Sequence, residues 1–397
     1  MQLDPNNSSP RARRAHSRGV AIMVVMGFII VLTVLATAFA VNMKVEAKLK
    51  GNANSDVEVE WLCRSGVELA KYALSRQMAD PNTPYDALNQ IWAGGPGETN
   101  AVDTGTIPLN FTNNGWSDGS VLRLIYPDGP PDEAKESDYR CQVQIVDLES
   151  KYNINRAAED PAREPVADLL MLMGVDPTQH DYIIDSIKDW RDTDDAQRNS
   201  GAETDYYQSL GYSAKDGPID DLKELLLIRH VTPAIFWGSS TNQLAADPLS
   251  APAQVRHQDP TLMPEEDEEF YEFGFVDVFT ALSTGYINVN TAPERVIQML
   301  PGVNQNSAYE IVRQRRGDDG LDGTYDDQPF RTIEELRNVA GFTSADAILN
   351  AQRFLSVRSA TFEVTVTAEV RGRERTLVAV LSRKDAKDVK ILFNYWK

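Results

Sequence analysis

One stretch of this sequence constrains the fold of the whole chain: Val20–Val41, 22 residues without a charge or a proline. At about 1.5 Å per residue this stretch forms a helix of roughly 33 Å, and the hydrocarbon core of a bilayer is about 30 Å thick. No other stretch of the sequence is comparable. The sequence therefore predicts one helix that crosses a membrane.

A cleaved secretory signal peptide is the alternative interpretation of this stretch. Its apolar region would usually be about 7–15 residues long and end in small residues, and Ala36–Ala40 contains alternating alanines of that kind. The run is longer, however, and its helical pattern continues through Asn42–Glu46, which favours a retained span. Because Arg11, Arg13, Arg14 and Arg18 precede it, the positive-inside rule places residues 1–19 in the cytoplasm and the remainder outside.

Charge excludes some functions for the long C-terminal part of the chain. The net charge is -20, and residues 20–397 carry 35 basic and 58 acidic side chains. Phosphate contacts need Lys and Arg, so nucleic acid is not an expected partner, whereas an acidic chain can bind hard cations. Cys63 and Cys141 either form one disulfide in an oxidising compartment or remain two core thiols.

Hydrophobic periodicity predicts a long helix early in the chain, then strands on both sides of a helical region. Residues 42–78 continue the apolar span as an amphipathic helix, whose apolar stripe is Val59, Cys63, Val67, Ala70 and Leu74. Strands are expected at Val121–Tyr126, Cys141–Val146, Phe362–Val370, Thr376–Leu381 and Val389–Trp396. The first and last strands are expected to share one sheet.

Between these strands the sequence nearly repeats itself. Tyr152–Ala157 is similar to Tyr286–Ala292, and each opens an apolar helix that ends in a glycine turn. A second helix (Tyr182–Trp190 or Ala308–Arg315), an acidic loop and a proline followed by a short helix come next in both copies. Five features in the same order predict two copies of one helical module, joined by a Pro-, Ser- and acid-rich stretch from about Gly238 to Phe270.

Several of these features together resemble a known family. They are Arg18-Gly19 before an uncharged helix, the Tyr-Asn-Ile-Asn sequence at 152–155, the stretch from Asp189 through Tyr207, the helix Leu222–Leu227, and Ile287–Pro293. In this order they resemble the K-type minor pseudopilins of type II secretion, also called general secretion pathway protein K. The resemblance covers nearly the whole chain.

The resemblance implies an α+β fold: a pilin-like long N-terminal helix plus an antiparallel sheet, interrupted by an insertion of two SAM-like or helix-hairpin-helix-like modules. The expected organisation is a leader (1–19), the transmembrane half of the stalk helix (20–41), a periplasmic helix and first strands (42–150), a first module with its joint (151–285), a second module (286–356) and the closing strands (357–397).

The resemblance also implies a non-enzymatic function at the tip of a periplasmic pseudopilus. Prepilin peptidase would cut between Gly19 and Val20, with methylation of the new N-terminus, and leave an inner-membrane protein with its N-terminal side cytoplasmic and its large domain periplasmic. The implied partners are the I- and J-type minor pseudopilins and the major pseudopilin. Val20 departs from the Phe or Met that is commoner among pilins at the first mature position.

The mature N-terminus supports the tip position physically. Pilin-like subunits usually carry a glutamate at mature position five, which can neutralise a neighbour's N-terminal ammonium group inside the bilayer, where an unpaired charge is costly. After a cut at Gly19-Val20 this position is Val24, and residues 20–43 carry no carboxylate. Such a subunit cannot make this ion pair as a repeating unit.

Two acidic loops are candidate calcium sites, because calcium takes six to eight oxygen ligands and clustered carboxylates supply them; the family resemblance also implies calcium in the insertion. The first loop contributes Asp189, Asp192, Asp194, Asp195, Glu203 and Asp205 around Gly201. The second contributes Asp318, Asp319, Asp322, Asp326 and Asp327. Gln197 stands where an EF-hand counted from Asp192 would need glycine, so the first loop is not an EF-hand.

Two rival functions remain compatible with the sequence. Leu300–Val303, followed by Arg313, Arg315 and Arg316, resembles a helix-hairpin-helix, which would suit a DNA-uptake or competence-type pilus component. An anchored calcium-binding protein without a filament is the other. No catalytic constellation is found, and the four histidines (His16, His180, His230 and His257) lack metal-ligand spacing, so an enzyme is not predicted.

Overall fold

The computed structural model describes residues 17–96, 138–157, 165–238, 271–300, 303–340 and 352–397. The predicted strand Val121–Tyr126, the joint after Gly238 and residues 1–16 of the leader lie outside these ranges. The chain divides into two compact units, residues 1–60 and 61–397.

The first unit consists, in its described part, of the beginning of helix α1, Ser17–Ala79. The large apolar side chains between Ile22 and Val41 are all exposed. A helix that is hydrophobic all round needs an apolar environment to cover it. Among the described residues α1 is the one helix long and apolar enough to cross a membrane, which fits a single-pass anchor joined to a large soluble domain.

The second unit is built on a sheet. In chain order the strands are β1 (Tyr139–Asp147), β2 (Tyr152–Asn153), β3 (Phe279–Thr280), β4 (Ile287–Asn288), β5 (Leu355–Ser356), β6 (Thr361–Val370), β7 (Arg373–Asp385) and β8 (Asp388–Trp396). β1, β6, β7 and β8 form one antiparallel sheet in that order. The predicted strand at Cys141–Val146 and the predicted strands after residue 361 therefore do share one sheet.

The last part of α1 packs on one face of this sheet. Cys63, Val67, Ala70 and Leu74 of the predicted apolar stripe are buried, and Cys63 Sγ lies 3.5 Å from the carbonyl oxygen of Arg375. A Cβ added to Gly66 would lie 2.6 Å from Cγ1 of Val366, so the helix approaches the sheet more closely there than any side chain would allow. Both cysteines are buried and form no disulfide.

The helices, in chain order after α1, are α2 (Ile154–Ala157), α3 (Pro165–Met173), α4 (Pro177–Arg191), α5 (Thr204–Gln208), α6 (Pro233–Trp237), α7 (Phe275–Val278), α8 (Glu294–Gln298) and α9 (Gln305–Arg315). Gly174 follows the last residue of α3, and its φ of 80° is a conformation that favours glycine. Asp176 then caps α4, accepting a hydrogen bond from the Thr178 amide at 2.8 Å. The predicted short helices after each proline are 3₁₀ helices, Leu222–Leu227 and Ile333–Asn338.

Each helical module begins and ends with a two-residue strand, and these two strands pair in parallel. β2 pairs with β3, and β4 pairs with β5. These pairings join positions far apart in sequence, and local periodicity did not predict them. The buried side chains of both modules belong to one apolar cluster that runs from Tyr152 to Leu355.

The two helical modules together are inserted in the sequence between β1 and β6, which pair with each other in the sheet. Asp147, at the end of β1, accepts hydrogen bonds through Oδ2 from the Ser359 hydroxyl (2.6 Å), the Thr291 hydroxyl (2.5 Å) and the Asn288 amide (3.2 Å). Glu149 accepts from the amides of Thr284 and Thr361. The buried carboxylates of Asp147 and Glu149 therefore connect three places in the chain: the start of the first module, the segment that joins the two modules, and the end of the second module.

Candidate metal centre

Three carboxylates of the first acidic loop converge. Asp189 lies in the last turn of α4, Asp192 caps the C-terminus of that helix, and Glu203 stands at the N-cap of α5. One oxygen from each lies within 4.8 Å of the others. The remaining residues predicted for this site, Asp194, Asp195 and Asp205, are exposed, and Asp194 accepts a hydrogen bond from the amide of Ala196. The structure thus gathers half of the predicted set.

The converging carboxylates have unsatisfied oxygens. Glu203 is 5% exposed and Asp189 is fully buried. Both carboxylate oxygens of Glu203 and Oδ1 of Asp192 are buried without a hydrogen-bond partner among the protein atoms described. A buried, unpaired carboxylate costs several kcal/mol unless a proton or a cation compensates it. These three oxygens are therefore the atoms that a bound cation would satisfy.

The pKa values of these carboxylates also indicate a cation site. Burial, together with the nearby carboxylates of Asp189 and Asp192, raises the pKa of Glu203 to about 7. Burial also raises the pKa of Asp189, although hydrogen bonds from Arg198 act against this. A bound cation would stabilise the ionised form of these carboxylates, so raised pKa values in the absence of an ion are expected at a cation site.

Arg198 supplies part of the countercharge, and sequence reasoning missed it. Its guanidinium donates to Asp189 Oδ1 at 2.7 Å and to Asp192 Oδ2, and its amide donates to Asp189 Oδ2 at 3.1 Å. With three ionised carboxylates and one guanidinium, two negative charges remain. This is the charge that one divalent cation balances.

The loop backbone holds the cluster in place. A Cβ on Gly201 would lie 2.0 Å from Asp189 Oδ2, so only glycine lets the loop pass over this carboxylate. The Gln197 side chain donates to the carbonyl of Gly201 at 2.8 Å, and Asp185 accepts from the amide of Ser200. The all-oxygen donor set, with unpaired oxygens and a residual double charge, fits Ca²⁺, which takes backbone carbonyls and water as further ligands.

The second acidic loop is arranged differently. Asp322 receives hydrogen bonds from Arg315 and Arg316, and these guanidinium groups lower its pKa despite partial burial. Asp326 accepts from the amides of Asp318 and Asp319 and from the Thr324 hydroxyl, and its pKa falls to about 2. Asp327 accepts from the Gly323 amide and the Thr324 hydroxyl, and Asp319 accepts from the Leu321 amide. Four of the five carboxylates in this loop, all of which the structure describes, accept hydrogen bonds from arginines or from the loop itself, and no three of them lie close enough together to share one ion.

The arginines of the helix-hairpin-helix-like stretch are engaged within the protein. Arg315 is 3% exposed and donates to the carbonyl oxygens of Val289 and Ala292. Arg313 pairs with Glu310, while Arg316 pairs with Asp322. The preceding turn at 301–302 lies outside the described residues. A buried Arg315 cannot reach a phosphate group, which argues against the DNA-binding interpretation.

The predicted processing site and two of the histidines can be placed. Gly19 and Val20 lie in the first turn of α1. His180 is within hydrogen-bond distance of the Val175 carbonyl oxygen, at 2.9 Å, and His230 packs against Tyr182 with ring centroids 5.2 Å apart. Both histidines serve local packing.

A long N-terminal helix whose later part packs on an antiparallel sheet defines the pilin-like class of proteins, here with a large helical excursion between two paired strands. Residues 148–237, within that excursion, match the family described as type II secretion system (T2SS), protein K. The chain is 24% identical over 201 residues to the putative type II secretion system protein K of Escherichia coli strain K12. That alignment spans 48% of this chain and 50% of the relative, so the chain matches about half the length of that protein.

A solved structure shares the fold over a greater length. It is the GspK-GspI-GspJ complex from the type 2 secretion system of enterotoxigenic Escherichia coli, matched with a TM-score of 0.55 and 15% sequence identity. The match covers 88% of this chain and 99% of the matched chain. By all three findings the chain is similar to type II secretion system protein K, in sequence over part of its length and in fold over most of it.

Proposed function

We propose that this chain is a minor pseudopilin that assembles with other minor pseudopilins at the tip of a type II secretion pseudopilus and serves protein export across the outer membrane. The observation that carries the proposal is the fold match over 99% of a subunit whose structure was solved in complex with GspI and GspJ. The family is one of structural pseudopilins, and the proposed activity is assembly rather than catalysis.

Two features support the tip position. Val24 stands at the fifth position after the proposed cut, and residues 20–43 carry no carboxylate, so this subunit cannot neutralise a neighbour's N-terminus inside the bilayer. The soluble domain that follows the anchor is also large for a repeating unit of a narrow helical filament. Both features suit a subunit that seeds and caps the filament above the major pseudopilin.

Maturation and topology are part of the same proposal. Prepilin peptidase removes residues 1–19, the new N-terminus at Val20 is methylated, and the soluble domain lies in the periplasm. The basic leader before the apolar helix supports this orientation. Ca²⁺ bound by Asp189, Asp192 and Glu203 stabilises the first helical module, since the unpaired oxygens of this cluster then have a partner.

The proposal is tested first at the N-terminus. Peptide and intact-mass spectrometry of the membrane-extracted protein, made with and without prepilin peptidase, is expected to give a start at Val20 with an added methyl group only when the peptidase is present. The same preparation is expected to retain the I- and J-type pseudopilins on affinity purification. A start at Met1, or a cut near Ala40, together with no retained partner would overturn the proposal.

A further inference from the structure

Strand β8 forms an open edge of the sheet, and its side chains are apolar on both faces. In the described part of the chain no strand pairs with the far side of β8. Leu392 is 55% exposed and Tyr395 is 47% exposed, and three more large apolar side chains of the strand are exposed as well: Ile391, Phe393 and Trp396. Most edge strands have one buried face, whereas this strand shows large apolar side chains on both.

The register shows that β8 continues two buried surfaces. Trp396 pairs with Leu377, which pairs with Val366 on the face covered by α1. Phe393 pairs with Val380, whose neighbour in β6 is Glu363, on the opposite face. Leu377 and Val380 are buried. An added strand would therefore find apolar surface to cover on each side of the sheet.

Soluble proteins normally protect such an edge with charges, proline, bulges or a covering segment. β8 has no proline, and its charged residues, Asp388 and Lys390, come before its large exposed apolar residues. The bulge opposite Val380 and Leu381 lies inside the apolar part of the strand, and regular pairing continues after it to Trp396. An edge that no described strand covers, with alternating side-chain positions, is the arrangement used by proteins that bind a partner by β-strand addition.

Charge indicates what kind of partner fits this edge. The chain as a whole has a net charge of -20, yet Arg371–Lys397 contains eight basic side chains and three acidic ones. Arg375, Lys384, Lys387 and Lys390 are exposed. Arg383 is buried and pairs with Asp86, and Lys390 pairs with Asp388, so Lys384 and Lys387 contribute most to the basic surface. A basic rim around an apolar strip, in an otherwise acidic protein, is complementary to an acidic partner.

We propose that β8 is an assembly surface to which an acidic partner protein adds an extended strand, with apolar side chains covering Leu392, Tyr395 and their neighbours and carboxylates facing the lysines. The proposal rests on the proposed function, since the partner is another subunit of the pseudopilus tip. A second copy of this chain is a poor occupant. Antiparallel pairing of two β8 strands would bring Lys387 and Lys390 of one copy near Lys397 of the other, and parallel pairing would align identical lysines.

The experiment uses the full chain in detergent with the I- and J-type minor pseudopilins of the same secretion system as probes. Binding is measured for the wild type, Leu392→Asp, Tyr395→Asp and the double charge reversal Lys384→Glu/Lys387→Glu. Leu210→Asp is the matched control, because Leu210 is also 55% exposed but lies in the helical insertion. Melting curves confirm that each variant folds.

The β8 substitutions are expected to weaken binding at least about tenfold, as for central apolar contacts of an interface. The charge reversal is expected to slow association about tenfold at low salt and to remove most of its salt dependence. Leu210→Asp is expected to leave binding within about twofold. In the wild-type complex, hydrogen exchange at the β8 amides is expected to slow relative to the free chain, which requires no variant.

The outcomes separate this proposal from the proposed function. If the wild type binds its partners while the β8 variants bind equally well and β8 exchange is unchanged, the edge proposal fails and the assembly function stands. If the wild type binds neither partner, both fail. Protection of β8 in the free chain as its concentration rises, or on addition of phosphatidylglycerol vesicles alone, would identify self-association or lipid as the occupant and overturn the proposal.

Discussion

Asn155 and Asn290 form the same pair of hydrogen bonds in two different parts of the chain. Asn155 donates to the carbonyl of Ile219 (2.9 Å) and accepts from its amide (2.8 Å). Asn290 donates to the carbonyl of Phe330 (2.9 Å) and accepts from its amide (2.8 Å). Each asparagine thereby replaces a strand partner for the residue that follows a proline. The sequence repeat is thus matched by a repeated contact.

Replacement of these asparagines by alanine is expected to destabilise the protein, because the buried backbone groups of Ile219 or Phe330 lose their partners. The expected cost is about 1–3 kcal/mol for each variant. Asn290→Ala should cost more than Asn155→Ala, since Asn290 is 3% exposed and Asn155 is only partly buried. Denaturant unfolding measures the difference, with the exposed Asn338→Ala as a control. Equal stability of Asn290→Ala and Asn338→Ala would contradict the contact's role.

Calcium is expected to stabilise the folded protein through the cluster of Asp189, Asp192 and Glu203. A saturating ion at about 100 times its dissociation constant adds about 2.7 kcal/mol, which in a domain of this size corresponds to a rise of several degrees in melting temperature. Glu203→Gln should remove most of this rise. Asp326→Asn is the comparison in the second loop, where the carboxylate is already satisfied by amides and a hydroxyl. A thermal shift that survives Glu203→Gln would rule out this cluster.

Stability in the absence of calcium is expected to fall as the pH rises from about 4.5 to about 7. Burial raises the pKa of Glu203 from 4.5 to about 7. The folded state therefore holds this proton more tightly than the unfolded state, and ionisation costs folding free energy. Asp147, with a pKa also raised to about 7 by burial, contributes in the same direction. Glu203→Gln should reduce the fall without abolishing it.

Calcium should reverse this dependence, since the cation competes with the proton on Glu203. The difference between melting temperatures in calcium and in chelator is expected to be small at pH 5.5 and to grow as the pH rises through 7. Differential scanning calorimetry at several pH values measures both curves. A calcium effect that is largest in acid would show that the ion binds elsewhere.

Two glycines of α1 give opposite expectations for the same substitution. Gly66→Ala places a Cβ 2.6 Å from Val366, and the strain should cost about 1–3 kcal/mol. Gly51→Ala meets nothing within 4 Å and should favour the helix by about 1 kcal/mol. Melting of the two variants in the same detergent compares them directly. A Gly66→Ala protein as stable as the wild type would mean that helix and sheet are not in contact at this point.

The parts of the fold that depend on local periodicity could be predicted from the sequence. The apolar stripe from Cys63 to Leu74 is buried as expected, and β6 alternates between buried and half-buried residues and pairs with β7 as the predicted hairpin. The ladders that pair β2 with β3 and β4 with β5 could not be found in this way, because each consists of two residues and joins segments separated by a whole module.

The candidate metal site shows the same limit. Counting carboxylates identified both acidic loops, but it could not show which carboxylates come close to one another in the fold. Asp189 and Glu203 converge, whereas Asp322 is bound by Arg315 and Arg316. Arg198 was missed because a basic residue inside an acidic loop gives no signal as a part of a cation site.

The two short parallel ladders have a consequence for how the sheet can form. Thr361 and Glu149 are in contact although they lie 212 positions apart, and closing a loop of that length carries an entropy cost that grows with the logarithm of its length. When β2 has paired with β3 and β4 has paired with β5, the ends of each module are held together. The flexible connection between β1 and β6 is then much shorter than the full sequence separation. Folding of the modules thereby shortens the search by which β1 finds β6, so the central sheet is expected to be completed last.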